Sequence, residues 1–254
     1  MKFGLNLYSI RNLINTEEGF IGSCKKLKEH GYGFIQYSGI PLNVSWCKRE
    51  LNEVGLPILL THVPMGRILD DTEKLIEEHK EIGCYNIGLG GLFIGIKNFK
   101  TYVDKLEVAA KKIESAGLKL FYHNHMHEFM KDENGKIYFD YLIDNAPHVN
   151  FTLDTYWVER GGVDIYGLLE KIKGRVDCVH FKDYSVIEKS KDNDFLYENA
   201  ECPCGEGNLD FVKMMPYFKS AGSKYFFVEQ DNAAEKDDAM KEVEKSIIYL
   251  NKIF

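Results

Sequence analysis

The chain has 254 residues, 44% hydrophobic and 28% charged, the profile of a soluble globular protein long enough to bury a large core. Its formal charge of −7, from 32 Lys and Arg against 39 Asp and Glu with no basic block, sets net repulsion against a nucleic-acid backbone and argues against duplex or RNA binding. No run of about 18 apolar residues exists, and Met-Lys-Phe-Gly-Leu-Asn-Leu-Tyr lacks the apolar stretch and cleavage site of a secretory signal, so no membrane partner is expected and the chain reads as cytoplasmic.

Along the chain a glycine repeatedly closes a polar segment of helical period, and an apolar, β-rich run follows it. Lys2–Tyr8 opens the series. The amphipathic segment Glu17–His30 then ends at Gly31 ahead of a Phe-Ile-Gln-Tyr run, and Gly55 precedes Leu-Pro-Ile-Leu-Leu. Asp71–Ile82 ends at Gly83, Lys100–Ala116 at Gly117, Asp164–Lys173 at Gly174 and Leu209–Ala221 at Gly222, each before another apolar run. His148–Asp154 follows Asn145-Ala146-Pro147, and Ala234–Ile253 closes the chain. A left-handed glycine ends a helix without a Cβ penalty and turns the chain back into a strand.

Eight strands are therefore predicted, centred near residues 5, 36, 59, 87, 121, 151, 179 and 226. Strands alternating with helices require right-handed parallel crossovers, and eight such units in about 250 residues match a (β/α)8 barrel. An open doubly wound sheet would carry a glycine-rich phosphate turn after its first strand, where this chain has Tyr8-Ser9-Ile10-Arg11-Asn12. The expected architecture is α/β: a single TIM-barrel domain over residues 1–254. The longest interruption, Ser185–Gly207, is expected as a loop on the catalytic face and a candidate lid. The six cysteines are expected as reduced thiols; Cys202-Pro203-Cys204 does not match zinc-knuckle spacing.

In such a barrel the chemistry sits at the C-terminal strand ends. There the sequence places Tyr8, His62, the run His123-Asn124-His125 followed by His127-Glu128, then Asp154, His180-Phe181-Lys182-Asp183 and Glu229-Gln230-Asp231. His62, His123, His125, His127 and His180 are five of the eight histidines. Imidazoles and carboxylates converging from several strands suit Mn²⁺, Co²⁺, Fe²⁺ or Zn²⁺ better than Ca²⁺. Taken singly, Asp154 could cap a turn, His180 could be a satisfied core histidine and Glu229 could pair with a lysine. Lys182, two residues beyond His180, could offer a cation to an oxyanion or phosphate or could be a rim lysine. Tyr8, His62 and Trp157 could line a sugar face.

Tyr-His-Asn-His-x-x-Glu-Phe (122–129), Leu-Asp-Thr-Tyr-Trp (153–157), Val-His-Phe-Lys-Asp (179–183), Gly-Glu-Gly-x-Leu-Asp-Phe (205–211) and Val-Glu-Gln-Asp (228–231) occur in that order. With them the chain resembles the xylose isomerase-like TIM-barrel superfamily, in its sugar phosphate isomerase/epimerase group, which also contains inosose dehydratase and ketose 3-epimerases. The resemblance runs from Phe3 to Glu229. It implies a divalent metal held by Glu, Asp, His and Glu from successive strands, and it maps the last three onto Asp154, His180 and Glu229. Related epimerases carry the first glutamate within strand five, where this chain has histidines. Glu128, just past that strand, is the expected ligand, ahead of His123 and His125. The two-glutamate proton relay of ketose epimerases is thereby put in question.

The leading expectation is a metal-dependent isomerase or epimerase of a small sugar, keto-sugar or sugar phosphate, with Glu229, Glu128, His125 and His123 as candidate acid/base groups. A lyase on the same scaffold, a dehydratase or keto-sugar eliminase, shares the first deprotonation and is the alternative. A non-catalytic sugar-binding barrel and a repair endonuclease rank lower, the latter because of the net charge. Homo-oligomerisation stays open.

Overall fold

In a computed structural model of the chain, which describes residues 1–190 and 195–254, eight parallel strands close into a barrel. In chain order the strands are β1 (Gly4–Asn6), β2 (Phe34–Tyr37), β3 (Ile58–His62), β4 (Asn86–Leu89), β5 (Lys119–His123), β6 (Val149–Asp154), β7 (Cys178–Phe181), β8 (Asp183–Glu188), β9 (Tyr197–Cys202) and β10 (Tyr225–Val228). β1 to β7 lie side by side in sequence order, and β10 joins β7 to β1 to close the ring. Each barrel strand falls on one of the predicted centres, and the architecture is the (β/α)8 barrel expected. Among the described residues no helix is long and apolar enough to cross a membrane.

The helices form where sequence period and caps coincide. Glu17–His30 starts at Thr16, whose side chain accepts from the Gly19 N–H, and ends at Gly31 with φ of 98°. All six glycines that mark predicted helix-to-strand turns (Gly31, Gly55, Gly83, Gly117, Gly174 and Gly222) have positive φ. The helix expected from Leu209 begins instead at Phe211, because Asp210 caps it through the Lys213 N–H and the Leu209 N–H is taken by Asp183. The structure adds Val44–Glu53 after β2 and the short Tyr138–Asn145 after β5.

Segment 185–207, expected as a loop, instead carries most of an antiparallel ribbon: β8 pairs with β9 from Asp183↔Cys202 to Glu188↔Tyr197. Residues 191–194 of that segment lie outside the described residues. Its hydrophobic signal is weak because one face only is covered, with Tyr184 against Tyr156 at 5.2 Å between ring centroids. The ribbon returns to the barrel through a turn built on Asp183, whose carboxylate accepts from the N–H groups of Gly205, Gly207 and Leu209.

Two cores result. The larger lies between barrel and helices, and the smaller fills the barrel with Phe34, Leu60, Phe121, Cys178 and Phe227. A Cβ at Gly4 would come within 2.3 Å of the Phe34 ring, so β1 contributes no side chain to that inner layer. Residues two apart on a strand share a face. One step above the apolar layer, the inner faces therefore present Gln36, His62, His123, Asp154, His180 and Glu229.

Candidate metal centre and substrate cavity

The polar layer brings four ligand-type side chains to one point. His123, Asp154, His180 and Glu229 each offer an atom, all within 4.8 Å of one another and all buried. The β6–β7 register sets Asp154 beside His180, and the β7–β10 register sets His180 beside Phe227, two residues before Glu229. Asp154 serves twice: one carboxylate oxygen accepts from the Trp157 N–H and caps the helix Thr155–Arg160, while the other lies 3.3 Å from His123 Nε2 and 3.7 Å from His180 Nδ1.

His180 Nε2 lies 2.7 Å from Gln36 Oε1. An amide oxygen only accepts, so this nitrogen carries a proton; burial disfavours a second one on Nδ1, but Glu229 and Asp154 outweigh burial and raise the ring to about 9, so Nδ1 is protonated as well and a divalent ion would take that proton's place. There Nδ1 meets Glu229 Oε2 in close contact, both side chains being buried. Burial alone would raise the Glu229 carboxyl, but His180 and Lys182 reverse this and hold it well below the usual carboxylate range. Asp154 is likewise held at about 2: burial pushes it up, and hydrogen bonds to His123 and His180 outweigh burial.

These features fit a divalent ion. The spread of 4.8 Å is about twice a metal–ligand bond of roughly 2.0–2.5 Å. Two imidazoles and two carboxylates are a donor set suited to a divalent ion.

Glu128, the expected strand-five ligand, stands outside this group and His123 stands within it. Past β5 the chain turns into a short 3-10 helix, His127–Phe129, that swings Glu128 into the wall. There its carboxylate accepts from Tyr122 Oη at 2.5 Å and from the His125 N–H at 2.8 Å, with His127 Nε2 at 3.2 Å. Burial raises it to about 7. His123 keeps the two-residue alternation from Phe121 and so points inward.

Above the cluster opens a cavity of about 630 Å³ whose lining includes Tyr8, His62, His123, His125, Glu229 and Asp231. His62 and His125 are neutral imidazoles. Burial, then the neighbouring His123, depresses both, His125 to about 2 and His62 well below its usual value. His62 Nε2 and His125 Nδ1 are buried without partners. Gly91, at φ of +126°, passes so close that a Cβ there would stand 2.8 Å from His125 Nδ1.

Two expected substrate groups are placed differently. Trp157 does not line the cavity; its ring lies 5.1 Å from that of His125 and 5.0 Å from Lys182 Nζ. Lys182 is fully buried rather than on the rim, and its ammonium donates to Asp231 Oδ2 at 2.5 Å with Glu201 Oε1 at 3.6 Å. Burial disfavours that charge, but Glu229, Asp231, Asp154 and Glu201 outweigh it and keep the lysine protonated. Glu201 comes from β9 and also accepts from the Asp231 N–H, so the ribbon is tied to the barrel rim.

Sequence reasoning left Gln36, Glu201 and Asp231 without roles. A glutamine inside the apolar run Phe-Ile-Gln-Tyr is a readable signal for a buried polar partner. Glu201 carries none, because its partners lie 19 and 30 residues away.

The sequence matches the family model described as xylose isomerase-like TIM barrel over residues 24–253. Among solved structures, a sugar phosphate isomerase/epimerase from Parabacteroides distasonis superposes with a TM-score of 0.78 at 20% identity, covering 98% of this chain and 93% of that one. The protein described as the probable 3-DHS dehydratase AsbF from Bacillus anthracis gives 0.71 at 13% identity, covering 99% of each chain. A xylose isomerase-like TIM barrel protein from Mycobacterium smegmatis, in complex with magnesium, gives 0.73 at 12% identity, with 99% of this chain and 96% of that one covered. At such identities these likenesses establish the fold. No curated protein is a significant match.

Proposed function

Because the chain belongs to the xylose isomerase-like TIM-barrel family, we propose that it is a divalent-metal-dependent isomerase or epimerase of a small keto-sugar, acting by proton abstraction next to the carbonyl. The observation that carries this reading is the convergence of His123, Asp154, His180 and Glu229 at the floor of a cavity that also holds unpartnered histidine nitrogens. A divalent ion held by those four side chains would supply Lewis acidity to a carbonyl and its neighbouring hydroxyl. Gln36 fixes the His180 ring so that Nδ1 is the atom that would ligate. Glu229, held ionised, takes the proton from the carbon beside the carbonyl. His62 and His125 hold sugar hydroxyls through their unpartnered ring nitrogens.

The lyase reading is favoured by one feature. With Glu128 turned into the wall, the β5 side of the cavity presents histidines and no carboxylate. A histidine placed to protonate a departing hydroxyl suits elimination, whereas epimerisation calls for a base on each face.

Incubating ketohexoses with Mn²⁺-loaded protein in deuterated water tests both. Deuterium at the carbon beside the carbonyl together with an epimer or isomer supports the first reading. Deuterium exchange with an unsaturated product supports the second. Product without deuterium overturns proton abstraction with solvent exchange, and sugar binding with neither product nor exchange favours a non-catalytic barrel.

A further inference from the structure

We infer that the substrate is uncharged away from its reacting carbonyl and carries an apolar substituent, an aryl or alkyl ether or glycoside rather than a phosphate. The inference rests on the keto-sugar reading above and adds the substrate class. The cavity is divided by polarity. Its floor holds His62, His123, His125 and Glu229, with Asp231 at the rim, and the segments after β2, β3 and β4 add Ile40, Pro41, Val63, Met65, Phe93 and Ile94. At about 630 Å³ it lies in the range of pockets that enclose drug-sized molecules, more than one sugar ring fills.

The charge inventory weighs against the anionic alternative. Among the described residues no lysine or arginine lines the cavity, and two of its lining side chains are carboxylates, Glu229 and Asp231. Among the described residues, the two cations that meet Asp231 are already committed. Lys182 is held by Asp231 and Glu201. Arg11 donates to the backbone oxygens of Tyr8 and Asp231 at 3.1 and 2.7 Å and faces Glu235 at 3.6 Å. A phosphate monoester carries nearly two negative charges at neutral pH and is normally met by arginine, lysine or a nest of N–H groups. An apolar group finds partners instead. Phe93 stands at the mouth with 73% of its surface exposed, its ring edge-on to His125 at 4.9 Å, so a ligand has apolar area there to cover.

The test compares fructose, fructose 6-phosphate and 6-O-benzyl fructose, which place a hydroxyl, an anion and an apolar ring on one carbon. Binding to the Mn²⁺-loaded protein is read by titration at low ionic strength and by paramagnetic broadening of the ligand's proton resonances. The benzyl ether should bind at least about tenfold more tightly than fructose. The phosphate should bind no better than fructose, and sugar protons should broaden more than phenyl protons. Phe93→Ala should remove most of the benzyl advantage, read as the ratio of benzyl ether to fructose affinity within the variant, and it should fold, since an exposed rim ring does not support the fold. Tighter binding of the phosphate, or no gain from the benzyl group, overturns the inference while broadened fructose protons leave the keto-sugar reading standing. Phenyl protons broadened more than sugar protons, or no binding by any of the three, overturns both.

Discussion

Replacing Lys182 by Met keeps most of the side-chain length and removes one buried positive charge. The ammonium lies 2.5 Å from Asp231 Oδ2 and 3.6 Å from Glu201 Oε1. At an effective dielectric of about 20 these separations correspond to roughly 7 and 5 kcal/mol of Coulomb attraction, most of it offset by desolvation of the charges. Removing the cation alone therefore leaves two carboxylates facing each other without a counter-charge, which costs about 3–5 kcal/mol, a large part of the stability of an ordinary domain. Urea denaturation of the metal-loaded protein at pH 8 reads the loss. The companion variant Asp231→Asn lacks one of the stranded charges, so the double variant K182M/D231N should be less destabilised than the sum of the two by about 2 kcal/mol or more. A loss below about 1 kcal/mol for Lys182→Met, with additive effects in the double variant, would mean that water already screens the ammonium and that the closed charge cluster is not how the barrel rim is held.

Further expectations follow from other parts of the molecule. His123→Ala, Asp154→Ala, His180→Ala and Glu229→Ala should each lower the metal retained per chain after dialysis, measured by elemental analysis, whereas Glu128→Gln should retain it; equal loss in Glu128→Gln would return that carboxylate to the ligand set. Glu50 is fully buried with one oxygen accepting from the Leu56 N–H and the other unpartnered, and burial raises it from 4.5 to about 7. A raised acid contributes stability that is full below pH 4.5 and lost as pH climbs to 7. Relative to Glu50→Gln, the natural protein should thus lose about 3 kcal/mol between pH 4.5 and pH 8 in chemical denaturation, and parallel pH profiles would show the carboxyl to be hydrated. Gly207→Ala would place a Cβ 2.2 Å from Asp183 Oδ1 and 2.6 Å from the Tyr184 carbonyl, so amide exchange over residues 205–209 should accelerate and stability fall by about 1–3 kcal/mol; unchanged protection would show that the Asp183 turn yields freely.

The helix, glycine, strand repeat was open to reading because its causes are local. Amphipathic period and left-handed glycines such as Gly31 and Gly222 act within a few residues, and each recurs in the structure where the sequence puts it. The same holds for Asp154, His180 and Glu229: a strand presents alternate residues to one face, so a polar residue two beyond an inward apolar one enters the barrel. Only the tertiary structure brought His123 rather than Glu128 into the cluster. Both carry ligand atoms near the end of β5, and the choice turned on a 3-10 turn and on Tyr122 and His125 capturing the glutamate. Lys182 became buried rather than exposed through Glu201 and Asp231, 19 and 49 residues further on, and the apolar lining assembles from the segments that follow β2, β3 and β4. Charge pairing and cavity shape depend on distances across the closed barrel, which a local stretch of sequence does not contain; backbone period does not depend on them, and so it was legible from the start.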